Sequence, residues 1–400
     1  MNICKVWDAD YPWDIRVEKV IHSLTTAGHL VRLVCRNQGR RITHERNGSL
    51  SIHRLSSLPH FLGPANTVWN FPFPFNPVWI ATIGRAIREN RANLVLVRDI
   101  LLAPSAAMLA RTHRIPVVLD MAENYPGMLE DRQKYTPTTL LGRAIRHPAF
   151  AKAIERLTIR TVHHIIVVVE ESRDRLVRLG VPPGRISIVS NTPLLDRWSL
   201  QAGAGASPQP VARVKLVYLG NLDGSRGVDT AIRAVARLEA TGHRAHLFVI
   251  GDGPSKAHLQ HLTRTLNVAD RVNILGRLPF SEVQAIMAAS DIGLIPHYAT
   301  DAWNATIPNK LFDYMLLGMP VVVSDAKPTA RIVRTENCGE VYRAGDDTDL
   351  ARCIVSLEDQ DARCRMGSNG RNAVQRVYNW NNDSKVLLGV VEAAVSAVRN

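Results

Sequence analysis

The chain has 400 residues, 46% hydrophobic and 21% charged, which suits a globular protein of two domains and excludes a mainly disordered chain. No apolar run approaches the roughly 18 residues a membrane span needs, and the N-terminus carries charges where a secretory segment would be apolar. The formal charge of +13 is uneven: residues 1–200 hold 27 Lys and Arg against 16 Asp and Glu, net +11, and residues 201–400 hold 22 against 20, net +2. A basic half points to one domain facing an anionic partner, whether nucleic acid, membrane surface or phosphorylated acceptor. Five cysteines (Cys4, Cys35, Cys338, Cys353, Cys364), odd in number and without a C-x-x-C pair, predict reduced, mostly buried thiols in a cytoplasmic protein.

In chain order, short apolar runs at 2–7, 30–36, 50–55, 94–98, 116–120, 165–169 and 186–190 read as buried parallel strands with helices between them. Asp14 and Arg16 follow the first strand, and Asp120 and Glu123 close a later one. These residues either order an acceptor hydroxyl, close the domains or, for Asp14 and Arg16, form a local salt bridge. Six of the chain's 23 aromatic residues fall within 61–80, and a helical pattern follows with Trp79, Ile83 and Ile87 on one face and Arg85, Arg88 and Arg91 elsewhere. Residues 61–92 therefore suit either the edge of a bilayer or packing on the domain core. A second basic stretch, 140–164, carries Arg143, Arg146, Lys152, Arg156 and Arg160 against Glu155 alone, and several such groups together favour docking on an anionic membrane. His163 and His164 read as capping or surface residues.

Residues 201–210 are small, flexible and proline-punctuated, a linker by composition. Strand-like runs resume at 215–220, 246–250, 272–275, 292–296 and 320–324, alternating with helical patterns such as 228–238. The expected fold is α/β: two Rossmann-like doubly wound parallel-sheet domains facing across a cleft. The expected boundaries are 1–198 for the first domain, 199–212 for the linker and 213–375 for the second domain. A C-terminal helix over 376–400 is expected to pack back toward the first domain.

Three turns of the second half suit phosphate at the carboxyl edge of the sheet. The first is Gly220-Asn221-Leu222-Asp223-Gly224-Ser225-Arg226-Gly227, where small residues permit close approach and Arg226 adds charge. The second is Gly251-Asp252-Gly253-Pro254, also simply a good tight turn. The third is the helix start Pro308-Asn309-Lys310-Leu311-Phe312-Asp313, closed by Gly318-Met319-Pro320. Neither the dinucleotide Gly-x-Gly-x-x-Gly spacing nor a P-loop occurs.

These segments, with Tyr218-Leu219-Gly220, Val272…Gly276, Ala289-Ser290-Asp291 and the 308–325 run, resemble the retaining glycosyltransferases of family 4, which have the GT-B fold and use nucleotide-activated sugars. The first half is similar too, through 11–17, Gly28-His29, Asp120-Met121-Ala122-Glu123 and Asn191-Thr192-Pro193. The resemblance implies that Arg226 and Lys310 hold the donor diphosphate and stabilise the leaving nucleotide. It implies that Asp313 contacts the donor ribose, and that amides near Asn309, Lys310 and Leu311, together with Gly220, Asn221, Gly251 and Asp252, line the phosphate. Arg277 and Leu278 would lie beside the base. Ala305 stands where the family's first motif Glu would fall, Asn221 where its Arg is usual, and Ala122 where its His is common. On the acceptor side are Asp14, Arg16, Asp120 and Glu123, with Glu123 counted among the catalytic residues.

The reading is a cytoplasmic, peripherally membrane-associated retaining hexosyltransferase. It moves a sugar from a nucleoside diphosphate, UDP by family precedent, to a lipid-linked or glycan acceptor in surface polysaccharide or glycoconjugate biosynthesis. It requires no metal or other cofactor and no nucleic acid. The competing readings are a UDP-sugar epimerase on the same fold and, in a different class, a basic nucleic-acid-binding or scaffold protein.

Overall fold

A computed structural model of the chain describes residues 1–12, 14–59, 61, 63–136, 147–196 and 214–399. They form two compact units. The first comprises Met1–Leu129, Ala144–Ser190 and Asn381–Asn400, and the second Glu130–Arg143 and Asn191–Trp380. The linker expected at 199–212 lies outside the described residues, as do Arg143 and Arg146.

The first unit is built on β1 (Asn2–Asp10), β2 (Leu30–Arg36), β3 (His44–Asn47), β4 (Leu50–Arg54), β5 (Leu94–Arg98), β6 (Val117–Asp120), β7 (His164–Val167) and β8 (Ile186–Ile188), in the order β3-β4-β2-β1-β5-β6-β7-β8. All pairings are parallel except the β3–β4 hairpin. β3 is absent from the apolar pattern because His44–Asn47 is polar and exposed throughout, so neither a run nor an alternation marks it. The chain steps from β1 outward through β2 and β4, then returns to β5 on the other side of β1. The order reverses there, and such a reversal opens a crevice beyond the strands' carboxyl ends.

The helix Pro77–Asn90 starts as its sequence dictates: Asn76 accepts the Val78 N–H at 2.9 Å, and Pro77 takes the first helical position. Its apolar stripe, Trp79, Ile83 and Ile87, is buried with Val95, Val97 and Ala106 in the unit's core. Of the two roles open to 61–92, that stripe therefore takes the packing role. The upstream segment differs. Phe61 is 83% and Val68 74% exposed, and Trp69, Phe73 and Phe75 are about half exposed.

The second unit holds β9 (Val214–Leu219), β10 (Ala245–Ile250), β11 (Val272–Gly276), β12 (Ile292–Ile295), β13 (Val321–Ser324) and β14 (Gly339–Tyr342), all parallel, in the order β11-β10-β9-β12-β13-β14. β14 was not marked in the sequence, since Gly-Glu-Val-Tyr is short and half polar and only its pairing with β13 makes it a strand. The doubly wound order reverses between β9 and β12. Helix Val228–Ala240 turns Ala231, Val235 and Leu238 into the core, as its 3.6-residue spacing predicts. All five cysteines are free, four of them buried and Cys364 exposed. Burial pushes the Cys4 thiol up to about 12, which makes it inert.

Candidate active site

In the second unit, β9 ends at the switch point and runs into the Gly220–Gly227 loop. Asp223 organises that loop: its Oδ1 accepts the Ser225 N–H at 3.0 Å and the Ser225 hydroxyl at 2.6 Å, which caps the 3-10 turn Gly224–Arg226. Its Oδ2 holds Arg226 Nε at 3.3 Å. The guanidinium carbon stands 4.4 Å over the Trp303 ring. Gly227 has φ +64, and a Cβ there would lie 1.9 Å from the Pro296 carbonyl oxygen, so only glycine lets the loop close on the end of β12.

Lys310 enters from the other side of the reversal, in the first turn of helix Asn309–Leu316. It is 6% exposed, and its Nζ has no hydrogen-bond partner among the described residues. The ammonium lies 3.9 Å from the Tyr218 ring centroid, and a Cβ on Gly220 would approach it to 2.7 Å. Burial, then the charge of Arg226, hold Lys310 well below the usual lysine range, with Asp223 acting in the opposite sense. The helix is anchored by Tyr314, whose hydroxyl accepts the Leu219 N–H at 3.0 Å and donates to the Val217 carbonyl at 3.3 Å. A buried amine without a hydrogen bond, beside a guanidinium, can receive an anion.

Of the residues singled out on the donor side, Gly220, Arg226 and Lys310 come together. Asn221 is exposed and donates to Asp223 at 3.3 Å, and its carbonyl takes the Tyr218 hydroxyl at 2.7 Å. Gly251, at φ +145, would put a Cβ 1.8 Å from the Gly220 oxygen, so it fastens the two loops at closest approach. Asp252 serves the turn: its carbonyl accepts the Leu222 N–H at 3.0 Å and its carboxylate the Gly253 N–H at 2.9 Å. Asn309 is half-buried at the helix start. Leu311 packs in the core, and its N–H bonds the Pro308 carbonyl at 3.2 Å in the first turn. Asp313 is buried and partnered. Arg277, exposed, and Leu278, half-buried, follow β11, two strands from β9. Sequence reasoning passed over His297 and Trp303, although both follow the end of β12 at the reversal.

In the first unit, the four residues expected on the acceptor side, Asp14, Arg16, Asp120 and Glu123, lie around the β1–β5 reversal. Asp14 caps helix Ile15–Thr26 by accepting the Val17 N–H at 2.8 Å and stands 3.6 Å from Arg98. Arg16 does not pair with it. Its Nε and terminal nitrogen hold Asp120 Oδ1 at 3.0 and 2.6 Å, both side chains buried, and it reaches the Ser190 carbonyl at 3.1 Å. Against the upward push of burial, Arg16, Arg98 and Lys5 pull Asp120 down to about 2. Burial lifts the neighbouring Asp99 to about 7 in spite of Arg98 and lowers the fully buried Lys5 to about 8. Glu123 is half-buried, and its charge reaches Arg98 and Asp99. The pair Asp8 and Asp10 lies within β1, with Asp10 accepting the Gln38 and Gly39 N–H groups at 2.9 and 2.7 Å. Among the described residues no group of three or more His, Cys, Asp or Glu is placed to hold a metal.

Two parallel-sheet α/β units define the GT-B fold class. Sucrose-phosphate synthase from Thermosynechococcus elongatus superposes with a TM-score of 0.78 at 18% identity, covering 99% of both chains. The lipopolysaccharide-biosynthesis glycosyltransferase WaaG superposes at 0.65 and 17%, covering 96% of this chain and 98% of that one. The family described as "Glycosyl transferase 4-like domain" matches residues 14–192, and "Glycosyl transferases group 1" matches 213–360. The chain belongs to the group 1, family 4-like glycosyltransferases. Among curated relatives, 2-deoxystreptamine glucosyltransferase of Streptomyces kanamyceticus is 26% identical over 57% of this chain and 59% of its own length. The putative colanic acid biosynthesis glycosyltransferase WcaL of Escherichia coli K12 is 24% identical over 55% and 54%. The chain thus spans little more than half the length of these curated relatives.

Proposed function

We propose that the protein is a retaining hexosyltransferase that takes its sugar from a nucleoside diphosphate, UDP, and passes it to a lipid-linked or glycan acceptor in polysaccharide or glycoconjugate assembly. The observation that carries this reading is the buried, unpartnered Lys310 ammonium beside Arg226 at the β9–β12 reversal. As the anomeric C–O bond breaks, its electron pair passes to the departing phosphate, and these two cations stabilise the growing charge. The acceptor oxygen attacks from the same face, and its proton goes to the departing phosphate oxygen, so no protein base is obligatory. The cations take the role a divalent ion could fill, and activity is expected to survive EDTA. Supporting the donor and pathway, Anabaena HepE, of the same fold at TM-score 0.70, was solved with UDP, and the relatives WcaL and AmsK are named for colanic acid and amylovoran biosynthesis.

The test is a thermal-shift panel of UDP, GDP, ADP and their sugars, followed by the anomeric configuration of the product. One nucleotide is expected to raise the melting point, by roughly 2.7 kcal/mol of stabilisation at about 100 times its dissociation constant, and the product is expected to keep the donor's configuration. No response to any nucleotide would sink the reading, and epimerised donor formed without acceptor would move it to the epimerase class. Glu123→Ala is expected to lose transfer while keeping nucleotide binding; an unchanged rate removes Glu123 from the acceptor side.

The exposed Phe61, Val68, Trp69, Phe73 and Phe75, on the more basic half of the chain, support peripheral docking on an anionic membrane at the cytoplasmic face. Vesicles rich in anionic lipid are expected to bind the wild type, to release it in high salt, and to bind Trp69→Ser/Phe73→Ser several-fold more weakly. Equal binding to neutral vesicles removes the electrostatic part. Among the described residues no helix is long and apolar enough to cross a membrane.

A further inference from the structure

His297 follows β12 at the reversal of the second sheet. It is 1% exposed, and its Nε2 has no hydrogen-bond partner among the described residues. Its ring centroid lies 4.0 Å from that of Trp303, tilted by 37°, and the same indole carries the Arg226 guanidinium at 4.4 Å. The indole is itself fixed. Its N–H donates to Ser225 Oγ at 3.2 Å, and Ser225 and Arg226 are both held by Asp223. Trp303 thus ties the imidazole and the guanidinium to one plate. Burial, then Lys310 and Arg226, keep the imidazole well below its usual basicity, and therefore neutral.

A buried ring nitrogen without a partner is destabilising, and native proteins rarely leave one so. The two neighbouring cations select an anionic partner. A neutral ring with its hydrogen on Nε2 adds a hydrogen bond there without a third positive charge to be desolvated.

We propose that His297 is a further donor-site contact, donating a hydrogen bond to the diphosphate of the nucleotide, and that Trp303 is the positioning residue that aims both His297 and Arg226. This rests on the donor-site reading above and extends it to two residues outside the phosphate-binding turns.

Calorimetric titration of the full chain with UDP, GDP and ADP, and with the parent nucleosides, tests it. His297→Phe keeps a ring against Trp303 and removes the donor. It is expected to weaken the diphosphate that binds wild type by about tenfold or more and to leave the parent nucleoside unchanged. His297→Gln, which places an amide N–H near Nε2, is expected to recover most of the loss. Trp303→Leu is expected to weaken the same nucleotide, with a smaller further loss when added to Arg226→Ala, because part of its effect runs through that guanidinium and only the part through His297 remains. If His297→Phe does not fold, His297→Ala against His297→Gln gives the same comparison. Equal diphosphate affinity in wild type and the donor-less variant overturns the proposal, as does an equal loss for nucleoside and diphosphate. If wild type binds none of the three nucleotides, the donor-site reading itself falls and takes this inference with it.

Discussion

Replacing Lys310 with methionine is expected to abolish transfer and to make the empty protein more stable. The ammonium lies buried beside Arg226 with no hydrogen bond among the described residues, so it loses hydration and gains only the face of the Tyr218 ring in return. Methionine fills a similar volume without that penalty, and the melting temperature of the ligand-free variant should rise by a few degrees. Removing a donor aimed at developing charge costs on the order of 100- to 1000-fold in rate, and the nucleotide-dependent rise in melting temperature should vanish with it. Lys310→Arg is expected to recover little, because a guanidinium is bulkier than the ammonium it replaces and the buried space against Gly220 is tight. A variant that loses stability and keeps its response to nucleotide would show that Lys310 is a packing residue.

Asp120→Ala is expected to have the largest effect on the first unit. Its carboxylate is the buried partner of Arg16, with Arg98 3.8 Å away, and removing it leaves buried cations short of their counter-charge. Breaking a buried pair in this way costs about 3–5 kcal/mol, read as a lower denaturant midpoint for the first unit's transition. Arg16→Ala should cost a similar amount, and the double variant much less than the sum. The pH dependence has a definite sign. Asp120 is held at about 2 in the fold against about 3.9 in the unfolded chain. Its contribution is present above about pH 4 and is lost as pH falls toward 2. Asp99, lifted to about 7, acts the other way: stability rises as pH falls through 7 toward about 4. Asp99→Asn should flatten that slope, and asparagine tolerates the positive φ of +58 found there. An unchanged slope would place the titration on another group.

The fold was largely legible from periodicity. Buried parallel strands such as Val95–Val97 and Leu216–Tyr218 are apolar on both faces, and the helix from Val228 shows its stripe plainly. The strands that escaped, His44–Asn47 and Gly339–Tyr342, lie at sheet edges, where polar residues are allowed and pairing alone makes the strand. On the donor side, Arg226 and Lys310 were legible because each sits in a local strand–turn–helix pattern. On the acceptor side, Asp14 and Arg16 looked like partners two residues apart, whereas Arg16 pairs with Asp120, 104 residues away. The amphipathic pattern of Trp79, Ile83 and Ile87 could not separate core from bilayer, since both reward the same stripe.

By itself, the sequence determined the two arrays of parallel strands, the glycine-rich turns at the sheet edge, the local strand–turn–helix settings of Arg226 and Lys310 and the concentration of positive charge in one half. These follow from backbone preference, burial period and composition, which act over a few neighbouring residues. Only the tertiary structure decided which charges pair, which stripe is core, and that Lys310 Nζ and His297 Nε2 are buried without a hydrogen-bond partner among the described residues. Desolvation and long-range pairing depend on what distant segments bring to the same place, and the sheet reversals at β1–β5 and β9–β12 bring them there.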